Sequence, residues 1–433
     1  MEIGEPHGVD PEAGRRSRRH RAWWAFGPPL LALLAGWALL AYQSPFSGRD
    51  LFLPSSWGRW DSGQYAKIAR VGYTAAFHCS GHALPPHLPP GNYLCGTIGW
   101  FPGYPAVSWL VSHLPIINLN GALLLVAWSC WYLVLILMWH LLADARSAWI
   151  RWLCLGIAAV SPGQVYFAAI FPISLCVAGI LGCCYVAFRT TSRTALILGV
   201  IGGLLAGFSY FSAVVAGPAI LIAALVCLRG PALRRALICG LAPLAGFAGV
   251  LLTMQVAVGI WDAYFISAKK YGVSAHSPLQ TLDIRLRPLW TRVPPARLLS
   301  QITAEQTLLA LCLLVLGVLA TVVSWTGVSA LRTATRPPVL QEPAGTADVV
   351  TGWARIVARV PALDLCFLLL AGASWAIPYV AGGNLSIQRS ESFVILTVPL
   401  LRRLPAWVLV ILLAGGSIVA WRMAPNFFNS KLV

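Results

Sequence analysis

The sequence predicts an all-α, polytopic membrane protein with about eleven transmembrane helices and a large first outer loop that carries juxtamembrane helices. Three observations predict it. Hydrophobic residues fill 58% of the 433 positions and charged residues only 10%, with a mean hydropathy of +0.73, so most of the chain has lipid for its solvent. Apolar runs of roughly 20 residues, the length that crosses a bilayer, recur along it. The basic residues behind the formal charge of +17 fall in short clusters between those runs: Arg15 to Arg21, Arg189 and Arg193, Arg229 to Arg235, Arg332 and Arg336, and Arg402 and Arg403. That is the positive-inside pattern, and it argues against nucleic acid as the partner of this charge.

In chain order, residues 1–22 read as a basic cytoplasmic tail and 23–42 as the first span. A cleaved signal peptide competes for that run. Because it lacks a clear small-residue cleavage site, a retained signal anchor is expected, with the N-terminus in the cytoplasm. Further spans are expected at 119–142, 148–163, 166–188, 194–209, 211–228, 233–258, 306–328, 362–381, 387–401 and 406–422. All belong to one transmembrane domain, 23–425, followed by a short tail, 426–433. With the basic clusters inside, 43–118 and 259–305 become outer loops and 332–360 an inner linker with an interfacial helix over 352–360. The stretch from Phe101 to His113 is expected to lie on the outer surface as a juxtamembrane helix, since a span there would place Arg146 and Arg151 outside. Arginine far outnumbers lysine in a chain rich in Ala, Gly, Leu and Trp, which suggests a GC-rich bacterial genome and so a plasma membrane.

The first outer loop holds the most chemically loaded stretch, from Arg59 to Tyr73. Asp61-x-x-Gln64 is a capping-box pattern and Gly72 a C′ residue, so a helix is expected between them. Tyr65, Ile68, Ala69 and Gly72 would share one face, resting on the membrane while Lys67 and Arg70 reach phosphate groups. As an N-cap, Asp61 is structural. Facing a cavity, it is the stretch's one acid and a candidate general base. A low-dielectric setting favours a neutral carboxyl and an N-cap favours the anion, so the two roles pull in opposite directions.

His78, His82 and His87 lie in the same loop with Cys79 and Cys95. Their spacing matches no common zinc site, and no metal is expected. A disulfide between Cys79 and Cys95, facing an oxidising compartment, is the expectation and is worth about 3 kcal/mol in the chain-entropy model. The nine other cysteines read as small core residues.

Four blocks carry a family resemblance. Trp60-Asp61-Ser62-Gly63-Gln64-Tyr65-x-x-Ile68-Ala69-x-x-Gly72-Tyr73, followed by Phe101-Pro102-x-Tyr104-Pro105, resembles the first-loop signature of the PIG-V-type (GPI mannosyltransferase II-like) family of the GT-C glycosyltransferase superfamily. Ser161-Pro162-Gly163-Gln164-Val165-Tyr166-Phe167 is similar to a third family block, and Ile387-Gln388-Arg389 through Pro399 weakly resembles a fourth. Ile173 stands where relatives often carry a glutamate and Tyr210 where they often carry an arginine. Loss of both would replace an intramembrane ion pair by apolar packing, and would fit a changed substrate or a non-catalytic relative.

The resemblance implies a GT-C-like fold and a hexosyl transfer, mannose as first guess, to a hydroxyl acceptor on the extracytoplasmic face. It also implies an inverting displacement with Asp61 as base and no cofactor. The residues point to a compatible donor. No G-x-G-x-x-G follows a strand, and there is neither a Walker loop nor a D-x-D motif, so a site outside the cell would draw on a lipid-borne donor such as a polyprenyl-phosphate sugar. For the donor's phosphate the candidates are Lys269, Lys270 and Tyr271 in the second outer loop, Arg389 at the outer end of a late span, and Arg59 and Tyr65 in the motif; Arg285, Arg287 and Arg292 could serve too. Plainer roles compete: the lysines attract anionic headgroups, and Arg389 pairs with Glu391 or snorkels. The expected partners are the donor, a glycolipid or glycan acceptor, membrane lipids and a membrane partner protein. A non-catalytic scaffold of a glycosylation complex is the alternative function. A secondary transporter fits less well, because no inverted repeat is visible and the acids cluster at loops and helix ends.

Overall fold

The computed structural model describes residues 11–73, 77–78, 94–269, 277–291, 298–334, 361–381 and 387–430. Among them, six helices are long and apolar enough to cross a membrane: Ala22–Tyr42, Leu119–Asp144, Gly230–Val258, Leu299–Trp325, Ala362–Val380 and Ala406–Phe428. Four shorter apolar helices, Ala148–Ala159, Ile173–Arg189, Arg193–Ser209 and Phe211–Cys227, lie between them in sequence. Side-chain caps set several starts. Asn118 accepts from Gly121 N–H at 2.8 Å, Ser147 from Ile150 N–H at 3.3 Å and Ser192 from Ala195 N–H at 3.4 Å.

Two expected spans are cut short and one is broken. The run 148–163 ends as a helix at Ala159, and 166–188 becomes helical for good only at Ile173. The interruption carries Pro162, which has no N–H to donate, and Gly163 at φ 75°, which favours glycine. The run 387–401 is not a continuous helix: a single turn, Ile387–Ser390, passes through a 3₁₀ stretch, Glu391–Thr397, into a second turn, Val398–Leu401. All of 391–401 is buried. Irregular backbone at membrane depth is tolerated where protein, not lipid, surrounds it. The last helix runs on through Pro425 to Phe428, into the stretch expected to be tail.

The helices Ile173–Arg189, Arg193–Ser209 and Gly230–Val258 approach closely because glycines line their contacts. A Cβ on Gly179 would stand 2.2 Å from the Gly202 carbonyl oxygen, and one on Gly207 would stand 2.0 Å from that of Pro243. Such small-residue contacts let backbones pack where no hydrophobic effect separates helix from lipid. One apolar core runs from Ala32 to Phe428. Leu198, Leu252, Val323 and Ile411 are exposed on the bundle's outside, as suits a surface bathed in hydrocarbon.

Beside this bundle the stretch after the first long helix forms the helices Ser62–Val71 and Gly103–Val111, both expected as helices. Gly72 ends the former at φ 68°. A two-residue ribbon pairs Phe77 with Cys95 and His78 with Leu94. Cys95 is disulfide-bonded; Cys79, His82 and His87 lie outside the described residues, as do 335–360 with the expected interfacial helix.

Candidate active site

Asp61 immediately precedes the helix Ser62–Val71, but its carboxylate does not cap it. Its backbone is already helical, at φ −66° and ψ −13°, whereas a capping residue takes extended dihedrals that turn its side chain onto the first turn. The helix is opened instead by the Asp61 carbonyl, which accepts from the N–H groups of Gln64 and Tyr65 at 2.9 and 3.2 Å. The residue before it, Trp60, sits at φ 46°, a region non-glycine residues seldom occupy, with its ring edge-on to Phe427 at 5.6 Å. The capping-box expectation is therefore corrected. The carboxylate is released for another partner.

That partner is Arg389, 328 residues further along the chain. Its guanidinium forms an ion pair with Asp61 Oδ2; the Arg389 side chain is 9% exposed and that of Asp61 23%. The Phe171 ring lies 5.1 Å from the guanidinium carbon. Arg389 therefore neither snorkels nor takes Glu391, whose Oε1 accepts from the Thr307 hydroxyl at 2.5 Å and the Tyr379 hydroxyl at 2.6 Å. Around it the turn is held by cross-helix bonds. Gln306 Nε2 donates to the Gln388 carbonyl at 2.7 Å, Arg285 to Gln388 Oε1 at 3.1 Å, and Ser392 Oγ to the Gly163 carbonyl at 3.2 Å. A Cβ on Gly163 would stand 2.1 Å from Ser392 Oγ, so the Ser-Pro-Gly-Gln block seats on 388–392 only with glycine there.

The motif helix turns Tyr65, Ile68 and Ala69 inward, but against protein rather than the membrane surface. Tyr65 stands edge-on to Tyr104 at 5.6 Å and to Phe171 at 6.3 Å. Burial, reinforced by the Asp61 charge, pushes the Tyr65 phenol's pKa well above its ordinary value, so it is neutral near pH 7. Tyr104 anchors the second block by donating to the Leu123 carbonyl at 2.6 Å. Lys67 and Arg70 are exposed, and Arg70 bonds Asn120 Oδ1 at 3.2 Å.

The remaining candidates divide. Arg59 faces backbone: it donates to the carbonyls of Ser55, Gly58 and Phe428 at 2.8, 2.6 and 3.2 Å, between the rings of Phe46 and Phe427. It ties the segment before the motif helix to the end of the last helix. Lys269 is exposed at the end of the helix Ala263–Lys269, while Lys270, Tyr271 and Arg292 lie outside the described residues. Arg287 pairs with exposed Asp283 at 2.5 Å. Among the described arginines of the second loop, Arg285 is the one brought to residue 388, a choice its spacing in sequence does not signal. Ile173 is fully buried, and Tyr210 stacks on Phe393 at 5.6 Å. Two cavities, of about 510 and 300 Å³, lie at the opposite end of the bundle, and neither is lined by Asp61.

No protein-family model matches this chain, and no curated protein matches it. Among solved structures it is similar to the archaeal oligosaccharyltransferase AglB from Archaeoglobus fulgidus, solved in complex with an inhibitory peptide and a dolichol-phosphate. The match has 12% identity and a TM-score of 0.45, and covers 94% of this chain but 56% of AglB. This chain thus spans little more than half of that protein's length. A likeness this distant says nothing of the chemistry here, which rests on the Asp61 and Arg389 geometry.

Proposed function

We propose that this protein is an integral membrane glycosyltransferase that moves a hexose from a polyprenyl-phosphate carrier to a hydroxyl acceptor, with Asp61 as general base. The observation that carries the reading is the pairing of Asp61, a partly accessible carboxylate freed from helix capping, with the buried Arg389. Sugar transfer to a hydroxyl calls for a carboxylate to take a proton and a cation to receive the phosphate leaving group. Both are present within one contact.

In the proposed step Asp61 takes the acceptor's hydroxyl proton, and the acceptor oxygen bonds to the anomeric carbon. The bond from that carbon to the phosphate oxygen breaks, and its electron pair leaves with the polyprenyl phosphate. The configuration inverts. Arg389 orients the carboxylate in the resting site, and a donor phosphate drawing the guanidinium toward itself would free the base as the substrate arrives. Arg285, held near by Gln388, is a second cation for that phosphate. Mannose is the sugar suggested by the PIG-V-type motif, and the positions of the basic clusters support an Asp61 end outside the plasma membrane, where a lipid-borne donor would serve.

A non-catalytic partner of a glycosylation complex is the second reading, favoured by the neutral, packed Ile173 and Tyr210. Transfer from radiolabelled polyprenyl phosphomannose, assayed in membranes bearing wild type or Asp61→Asn, separates the two. The expected outcome is activity in wild type and a loss of about 10²- to 10⁴-fold in the variant, the usual contribution of a general base. Equal rates remove Asp61 from the mechanism, and activity in neither supports the partner reading.

A further inference from the structure

The larger cavity, of about 510 Å³, lies at the end of the bundle away from Asp61, where the helices Leu119–Leu141, Ile173–Arg189, Ala216–Cys227 and Ala362–Val380 have their other ends. Arg146, Arg189, Arg402 and Arg403 line it, with Phe188 and Leu363 among its apolar wall. Four guanidiniums there meet two carboxylates. Asp144 pairs with Arg189, and the fully buried Asp364 is shared by Arg402 at 2.7 Å and Arg403. Arg403 Nη1 and Arg189 Nε are buried and make no hydrogen bond among the described residues. A charge kept only to orient the chain in the membrane stays in water, because burying it costs several kcal/mol per ion. Here Arg402 and Arg403 are 6% and 15% exposed, so the excess positive charge is built into the cavity. Burial lowers the Arg403 pKa; Asp364 opposes that shift, and the neighbouring charges of Arg402 and Arg146 add to it.

We propose that this cavity binds a phosphate group, in its natural setting the headgroup of an anionic membrane lipid whose chains run along the apolar wall. A phosphate would supply the acceptors that the orphaned donors lack and offset the surplus charge, as basic pockets between transmembrane helices do for anionic headgroups. The site is separate from the Asp61 centre and does not depend on the proposed transfer.

The test is native mass spectrometry of the full-length protein with phosphatidylglycerol, phosphatidylcholine or inorganic phosphate. Arg146→Gln is the variant, because Arg146 is exposed and its replacement leaves the buried Asp364 pairs intact. Arg193→Gln, a basic-cluster residue that does not line the cavity, is the control. Wild type should retain phosphatidylglycerol over phosphatidylcholine, and Arg146→Gln should weaken that retention about fivefold, the effect of one basic charge near a membrane surface. Phosphate binding that is lost in Arg146→Gln, without lipid retention, supports the same pocket with a soluble phosphate compound as its ligand. Equal retention of the two lipids, or no difference between Arg146→Gln and Arg193→Gln for either probe, overturns the proposal.

Discussion

At the residue scale the decisive fact is that the Asp61 carboxylate pairs with the Arg389 guanidinium and does not cap the helix it precedes. Asp-x-x-Gln is a local pattern, and local patterns predict local bonds; a pairing across 328 residues leaves no trace in spacing. Arg389 could be singled out from sequence as a cation at a span's end, yet the same reasoning offered Glu391 as its partner. The structure separates these two acids by environment, one partly open and the other closed in by Thr307 and Tyr379. Removing the guanidinium should strand the Asp61 charge. Arg389→Gln is therefore expected to lower stability by about 3 kcal/mol, the low end for breaking a buried pair since Asp61 stays partly wet. The double variant Asp61→Asn/Arg389→Gln should regain part of that loss. Denaturant unfolding in detergent measures both, and a double variant no more stable than the single one would deny that the charge is what matters.

At the element scale, hydropathy located the helices well because it averages over many side chains, each contributing to the same lipid or core contact. It failed at 387–401, where composition is apolar enough for a span but the chain breaks into two turns and a 3₁₀ stretch. Composition reports what surrounds a segment, not whether its backbone bonds continue. The motif helix was legible down to Gly72, since helix stops are local, but the burial of its inner face under Tyr104 and Phe171 was not. Glycines show the same division. Gly207→Val should cost about 2 kcal/mol or more through overpacking, because its Cβ would meet the Pro243 carbonyl at 2.0 Å. Gly63→Ala, in a helix with open space around it, should be neutral or stabilising by about 0.5–1 kcal/mol. The thermal midpoint of Gly207→Val should fall while that of Gly63→Ala holds or rises; equal shifts would contradict the packing.

At the scale of the whole molecule, two charged centres occupy opposite ends of the bundle, separated by helices such as the 23-residue Leu119–Leu141, roughly 34 Å long at 1.5 Å per residue. Sites so far apart with no shared partner should act independently. The stability change of Asp61→Asn combined with Arg146→Gln is expected to equal the sum of the single changes within about 0.5 kcal/mol, and a larger deviation in an unfolding cycle would mean that the ends are coupled. The sequence by itself determined the membrane class, the rough positions of most helices, and the motif helix with its terminal glycine, because hydropathy, caps and positive φ act over a few neighbouring residues. Only the tertiary structure decided that Asp61 meets Arg389, that Arg59 clamps the loop to Phe428, and that four arginines from three connections surround one cavity. Those contacts join residues tens to hundreds of positions apart, and only the packing of the helices brings them within reach.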